Sequence, residues 1–233
     1  MDFKAEATRI ERFIYSYVDE ANADGVVVGI SGGLDSAVVA TLAVRALGKD
    51  KVHCLFMPTL NTPMEDTEDA GKMMSVLGVD FAVGIIQPII DSYILPKNVN
   101  RAVLGNLVAR IRATMLYLQA NQNNCLVLGT SDKSELMLGY FTKFGDGAAD
   151  LLPIAHLYKT EVRQLARFLE IPENIIKKPS SPALIKGQTA EDDLGFTYDE
   201  IDRMLKGELP MHSFIEMLIS RNEHKKHMPP QLT

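Results

Sequence analysis

The residues with the clearest chemical potential are Gly29-Ile30-Ser31-Gly32-Gly33-Leu34-Asp35-Ser36, which stand where an apolar run ends and a helical pattern begins. Paired glycines let a backbone turn sharply and bring its amides against a phosphate. A following helix start adds more amides and the positive end of its dipole. The hydroxyls of Ser31 and Ser36 can add hydrogen bonds. No lysine follows the glycines where a Walker loop requires one. An acid inside an anion-binding loop repels phosphate unless a divalent cation lies between them, which makes Asp35 a candidate magnesium ligand. Simple helix capping by Asp35 is the alternative, and it leaves the paired glycines and flanking serines unexplained.

The elements that must hold this loop are legible from periodicity. A first helix carries Phe3, Ile10, Phe13, Ile14, Tyr17 and Val18 as an apolar stripe expected to be core. Residues 26–30 read as a buried strand, with helix 35–47, strand 52–57, helix 65–77, strand 81–85, helical region 99–119 and strand 125–128 continuing the alternation. This pattern predicts an α/β fold: a doubly wound, Rossmann-like, mainly parallel five-stranded sheet with helices on both faces and ligands beyond the carboxyl ends of its strands. A polar loop follows residue 128, then a short piece at 151–154 and a helix at 158–169 ending before Pro172. Residues 177–195, rich in Pro, Ser and Gly, read as a mobile lid. Helices near 198–205 and 211–222 precede a basic tail, 224–233, headed by His224-Lys225-Lys226-His227. Residues 1–233 are expected to form one domain, without internal repeats.

Composition excludes several classes. Hydrophobic residues are 46% and charged residues 23%, ordinary for a soluble globular protein. The formal net charge of −6 argues against a nucleic-acid surface. No run approaches the roughly 18 apolar residues of a membrane span, and the first residues lack a secretory pattern, so a cytoplasmic location is expected. Cys54 and Cys125 lie in apolar runs and read as buried free thiols.

The glycine loop resembles the Ser-Gly-Gly-x-Asp-Ser loop of the N-type ATP pyrophosphatases, which grips the pyrophosphate of ATP. Two later segments, Gly129-Thr130-Ser131-Asp132-Lys133-Ser134-Glu135 and the run from Gly139-Tyr140-Phe141-Thr142-Lys143 through Asp150 to Pro153, resemble the NAD synthetases nearly letter for letter. The resemblance covers most of the chain. It implies an ATP site at Gly29 to Ser36, Thr130, Lys159 and Ser181, a magnesium ion held by Asp35 and Glu135, and a deamido-NAD site at Arg110, Lys143, Asp150, His224 and Lys225. Asp35 and Lys159 are implied as catalytic. The implied reaction is ATP-dependent amidation of deamido-NAD with ammonia through an adenylated intermediate, releasing AMP and pyrophosphate. A homodimer is implied too, with 99–119 and the first helix as candidate interface. At 233 residues the chain leaves no room for an added amidase domain, so free ammonia or a separate glutaminase is the expected donor.

Two departures from the family pattern stand out. The segment from Thr59 to Asp69-Ala70 lacks the usual serine- or threonine-rich lead, though residues 57–65 are still expected to border the adenine, and Pro182 stands where small flexible residues are more usual. Taken singly, Arg110 and Arg112 read as solvated helix charges, Lys143 as a surface lysine and 224–227 as a disordered tail; their joint fit at matching spacing favours the family reading. Another ATP pyrophosphatase acting on a tRNA base or a different carboxylate remains a rival reading, as does an ATP-binding regulatory module. The acidic charge and missing CxxC weigh against the first, and intact Asp35 and Glu135 against the second.

Overall fold

Strand β1 (Gly25–Ile30) is the centre of a parallel sheet, and its side chains alternate between two separate cores. Val26, Val28 and Ile30 enter the larger core. Val27 enters a core on the opposite face, and a Cβ on Gly29 would lie 3.3 Å from Leu116. Such two-faced burial explains an uninterrupted apolar strand. The chain is described here from a computed structural model over residues 1–79, 81–181 and 189–232.

The remaining strands are β2 (Val52–Phe56), β3 (Phe81–Val83) and β4 (Cys125–Leu128). The helices are α1 (Phe3–Glu20), α2 (Leu34–Leu47), α3 (Met64–Leu77), α4 (Gln87–Asp91), α5 (Arg101–Gln122), α6 (Lys133–Leu138), α7 (Lys159–Phe168), α8 (Glu173–Lys177), α9 (Ala190–Leu194), α10 (Tyr198–Leu205) and α11 (Ser213–Asn222). The sheet order is β3-β2-β1-β4, with every pairing parallel. One face is covered by α1, α2, α3 and α7, the other by α4 and α5. A third core gathers Leu138, Ala190, Leu194, Tyr198, Ile201, Met204 and Ile215 from α6, α9, α10 and α11.

The sheet has four strands among the described residues, not the five expected. Leu151 makes a single parallel bridge to Leu128 beyond β4. The Asp150 carboxylate accepts the Val127 N–H at 2.7 Å, and Pro153 has no N–H to extend a ladder. A second correction concerns α1: Ala7, Ile10, Ile14 and Val18 are buried, whereas Phe13 and Tyr17 are 44% and 41% exposed. Those two rings lie against each other at 6.1 Å on the outside. The expected lid also divides. Residues 189–195 are built into the third core through α9, whose start is closed by a Thr189–Asp192 capping box. Pro182 and the rest of 182–188 lie outside the described residues.

Candidate active site

The strand order places the switch point between β1 and β4, and in parallel sheets of this kind ligands lie beyond the carboxyl ends of the strands at that point. The glycine loop follows β1 there. Gly33 is the N-cap of α2, and no side chain caps that helix start, so Asp35 does not act as the cap. The first amides of α2 therefore remain available to an anion. Ser31 and Ser36 face each other at 3.1 Å, the Gly33 N–H donates to Ser31 Oγ at 3.1 Å, and Ser36 Oγ donates to the Gly33 carbonyl at 3.1 Å. Gly32, at φ +79°, adopts a left-handed conformation that a side chain resists, and α3 presses on it: a Cβ there would sit 2.2 Å from the Asp66 carbonyl oxygen.

Beside this loop a buried ammonium gathers three carboxylates. Lys159, the first residue of α7, is 0% exposed, and its Nζ lies 2.8 Å from Asp35 Oδ2, 2.9 Å from Asp132 Oδ2 and 2.9 Å from Glu135 Oε1. Asp132 caps α6 by accepting the Glu135 N–H at 2.9 Å. Glu135 completes the box by accepting the Asp132 N–H through Oε2. Burial alone would pull the Lys159 ammonium down, but Asp132, Asp35 and Glu135 outweigh it and hold the group well above the usual lysine range. Burial pushes Asp132 up to about 6 despite the lysine, and raises Glu135 as well. The cluster thus holds more carboxylate than one ammonium satisfies. Asp35 Oδ1 is buried without a hydrogen-bond partner, a hard oxygen donor of the kind magnesium takes. Among the described residues no group of three or more acids, histidines or cysteines forms a ready-made metal cage. Asp35 and Glu135 supply the oxygen chemistry a hard cation takes, and such a cation would need further oxygen ligands from elsewhere.

Several residues that position this cluster escaped the sequence reading. Asp202 of α10, 1% exposed, accepts from Ser134 Oγ and from the Thr160 N–H, the latter at 2.8 Å. Ser134 Oγ in turn accepts the Lys159 N–H at 3.0 Å, so one buried acid ties the first turns of α6 and α7 together. Tyr198 lays its ring 5.2 Å from the Lys159 ammonium. Asp132 is the first residue of a capping box, and its Asp-x-x-Glu spacing to Glu135 is the sequence signal that points to it.

The other predicted residues fall into a separate group. Arg110 donates to the Lys143 carbonyl at 3.3 Å, and Lys143 Nζ donates to the His224 and His227 carbonyls at 2.8 and 3.0 Å. Lys225 Nζ donates to the Gly139 and Phe141 carbonyls at 2.9 and 3.1 Å, so the tail is docked on the 139–143 loop. Arg110, Lys143, His224 and Lys225 are thus brought together. Asp150 points elsewhere: one oxygen takes the Val127 N–H and the other the Tyr117 hydroxyl at 3.3 Å. Thr130, half-buried, follows the last turn out of β4, and Ser181 is exposed between α8 and α9.

A parallel sheet of this order with an amide-rich loop at its switch point places the chain among the doubly wound nucleotide-binding proteins. More narrowly, the family model described as NAD synthase matches residues 6–229, and the chain belongs to that family. It is 46% identical to the NH(3)-dependent NAD(+) synthetase of Hyperthermus butylicus over 99% of this chain and 91% of that protein. Among solved structures it is similar to the NMN synthetase of Francisella tularensis, at TM-score 0.95 and 34% identity over 100% of this chain and 99% of that one. It is also similar to the NH3-dependent NAD synthetase of Campylobacter jejuni, at TM-score 0.83 and 39% identity over 100% of both.

Proposed function

We propose that the chain is an ammonia-dependent ligase that converts deamido-NAD, ATP and ammonia into NAD, AMP and pyrophosphate. The observation that carries this reading is the Lys159 ammonium, held 2.8 Å from Asp35 at the uncapped start of α2. A nicotinate carboxylate oxygen attacks the α-phosphorus of ATP, and the bond to the bridging oxygen breaks with pyrophosphate leaving. Ammonia then attacks the activated carbonyl carbon, AMP leaves, and a proton is lost to give the amide. The α2 amides and the glycine loop bind the phosphates, and Lys159, also assigned to ATP, holds Asp35 and Glu135 in place beside them. Magnesium held by Asp35 and Glu135 would neutralise part of the phosphate charge facing these acids. Positioning and charge suffice, and no nucleophilic side chain is needed.

Arg110, Lys143, His224 and Lys225 are the cations assigned to the dinucleotide, with Thr130 and Ser181 assigned to ATP and residues 57–65 to the adenine. Asp150 is assigned to deamido-NAD as well, with its carboxylate braced by the Val127 N–H and the Tyr117 hydroxyl. A homodimer through α5 and α1 is supported by the exposed apolar side chains Phe13, Tyr15 and Tyr17 of α1 and Val103 and Leu118 of α5. Among the described residues no helix is long and apolar enough to cross a membrane.

The TM-score of 0.95 to an NMN synthetase supports a second reading, amidation of the mononucleotide acid in place of the dinucleotide acid. One assay separates the two. Purified protein is given ATP, magnesium and ammonium with either deamido-NAD or nicotinate mononucleotide, and pyrophosphate and the amide product are followed. Higher kcat/KM on deamido-NAD supports the first reading, higher kcat/KM on the mononucleotide replaces it with the second, and pyrophosphate release with neither acid refutes both.

A further inference from the structure

A second lysine, mostly buried, also touches the glycine loop. Lys178 follows α8 directly; its Nζ donates to the Gly32 carbonyl at 3.1 Å and to Asp66 Oδ1 at 2.8 Å, and lies 2.6 Å from Asp69 Oδ2. The side chain of Lys178 is 15% exposed and that of Asp69 2%. Asn174 Nδ2 fixes the other Asp69 oxygen at 2.8 Å. Burial pulls the Lys178 ammonium down, yet its bonds to Asp66 and Asp69 hold it above the usual lysine value. Three segments distant in the chain, the loop, the first turns of α3 and the end of α8, thus meet at one cation.

We propose that Lys178 is a positioning residue for ATP: by holding the Gly32 carbonyl it keeps that oxygen turned away from the phosphate site and fixes the Gly32–Gly33 peptide in the orientation in which the Gly33 N–H braces Ser31. The peptide is planar and trans, so its C=O and N–H point in opposite directions. Holding the Gly32 oxygen on Lys178 sends the Gly33 N–H to the other side, where it meets Ser31 Oγ at 3.1 Å. Gly32 sits at φ +79° and lacks a Cβ, so little in the residue itself prevents this peptide from rotating by half a turn. Rotation would aim a carbonyl oxygen at an anion. The ammonium opposes it, and by polarising the amide it strengthens the N–H as a donor. Asp66 and Asp69 hold the ammonium in place.

This inference rests on residues 29–36 being the loop that grips the phosphates of ATP. Its test is steady-state kinetics and thermal unfolding of wild type, Lys178→Met, and the double variant Lys178→Met with Asp69→Asn, which removes the buried acid left behind. A charge-assisted hydrogen bond of this kind corresponds to about a ten-fold effect or more. Both variants should raise the KM for ATP and weaken inhibition by pyrophosphate by about ten-fold. The KM for deamido-NAD should stay within about two-fold in both, since Lys178 touches none of the residues assigned to that ligand, and the double variant should recover the Tm lost by the single one. Recovery of ATP KM together with Tm would overturn the proposal, because Lys178 would then serve only to neutralise Asp69. Unchanged ATP KM in Lys178→Met would overturn it as well. A wild type that neither binds nor turns over magnesium ATP would instead overturn the assignment of the loop, and this proposal with it.

Discussion

Replacing Lys159 by Met removes one ammonium and leaves three carboxylates facing a space from which water is largely excluded. The Lys159 side chain is 0% exposed, Asp132 0%, and Asp35 and Glu135 20% each. Breaking a buried ion pair by removing one partner costs about 3–5 kcal/mol, because the remaining charge is uncompensated. Unfolding entropy of about 2.1 cal/mol/K per residue gives about 0.5 kcal/mol/K for a chain of this length, so the deficit corresponds to about 6–10 °C in Tm. The sign of its pH dependence follows from the carboxylates. Burial already raises Asp132 to about 6, and raises Glu135, with the ammonium present. Without the ammonium both rise further above their unfolded values, so the native state of the variant binds more protons than its unfolded state. Its stability is then recovered as pH falls toward the ordinary carboxylate range near about 4 and lost as pH rises. Calorimetry at pH 5 and pH 8.5 should show the full deficit at the higher pH and less than half of it at the lower. Pyrophosphate release should fall about a hundred-fold or more. A deficit equal at both pH values, or below about 2 °C at pH 8.5, would refute the account of Lys159 as the counter-ion of this cluster.

Asp202→Ala deletes the acid that joins α6 to α7; urea unfolding should show a loss of about 2–3 kcal/mol, with kcat falling more than the KM for ATP changes. An unchanged kcat would show that Glu135 and Lys159 do not need that tie. Gly32→Ala places a Cβ 2.2 Å from the Asp66 oxygen at φ +79°, whereas Gly207→Ala, at φ +77°, meets nothing within 4 Å. The second should lose only the left-handed penalty of about 1–2 kcal/mol, and the first should lose more and raise the KM for ATP; equal losses in thermal unfolding would remove the argument from close approach. Burial pushes the Cys54 thiol up to about 12 and raises Cys125 too, so a thiol reagent at pH 8 should label neither until denaturant is added. Fast labelling of either would contradict their burial.

What could be read without coordinates was local. The glycines and serines of 29–36 declared a turn into a helix start, because backbone freedom and anion-binding amides are properties of adjacent residues. The valines of β1 and the alternation of strands and helices gave the sheet. Short helices carry no such signal: α4, α8 and α9 have five residues each and α6 has six, too few turns for a period to register. The stripe of α1 was read too widely, since Phe13 and Tyr17 satisfy the helical spacing while facing outward.

The amino-acid sequence by itself determined the class of fold, the anion-binding loop and the family resemblance, since each is carried by neighbouring residues or by a period along the chain. Only the tertiary structure decided which side chains share a charge. Lys159 meets Asp35 across 124 residues, Lys178 meets Gly32 across 146, and Asp202 meets Ser134 across 68. Burial strengthens such contacts by removing water from between the charges, and burial is a property of the packed elements and of no single segment. For the same reason the bonds of Asp150 to the Val127 N–H and the Tyr117 hydroxyl could not be read from its neighbours in the chain, because only the closed sheet brings those partners within reach.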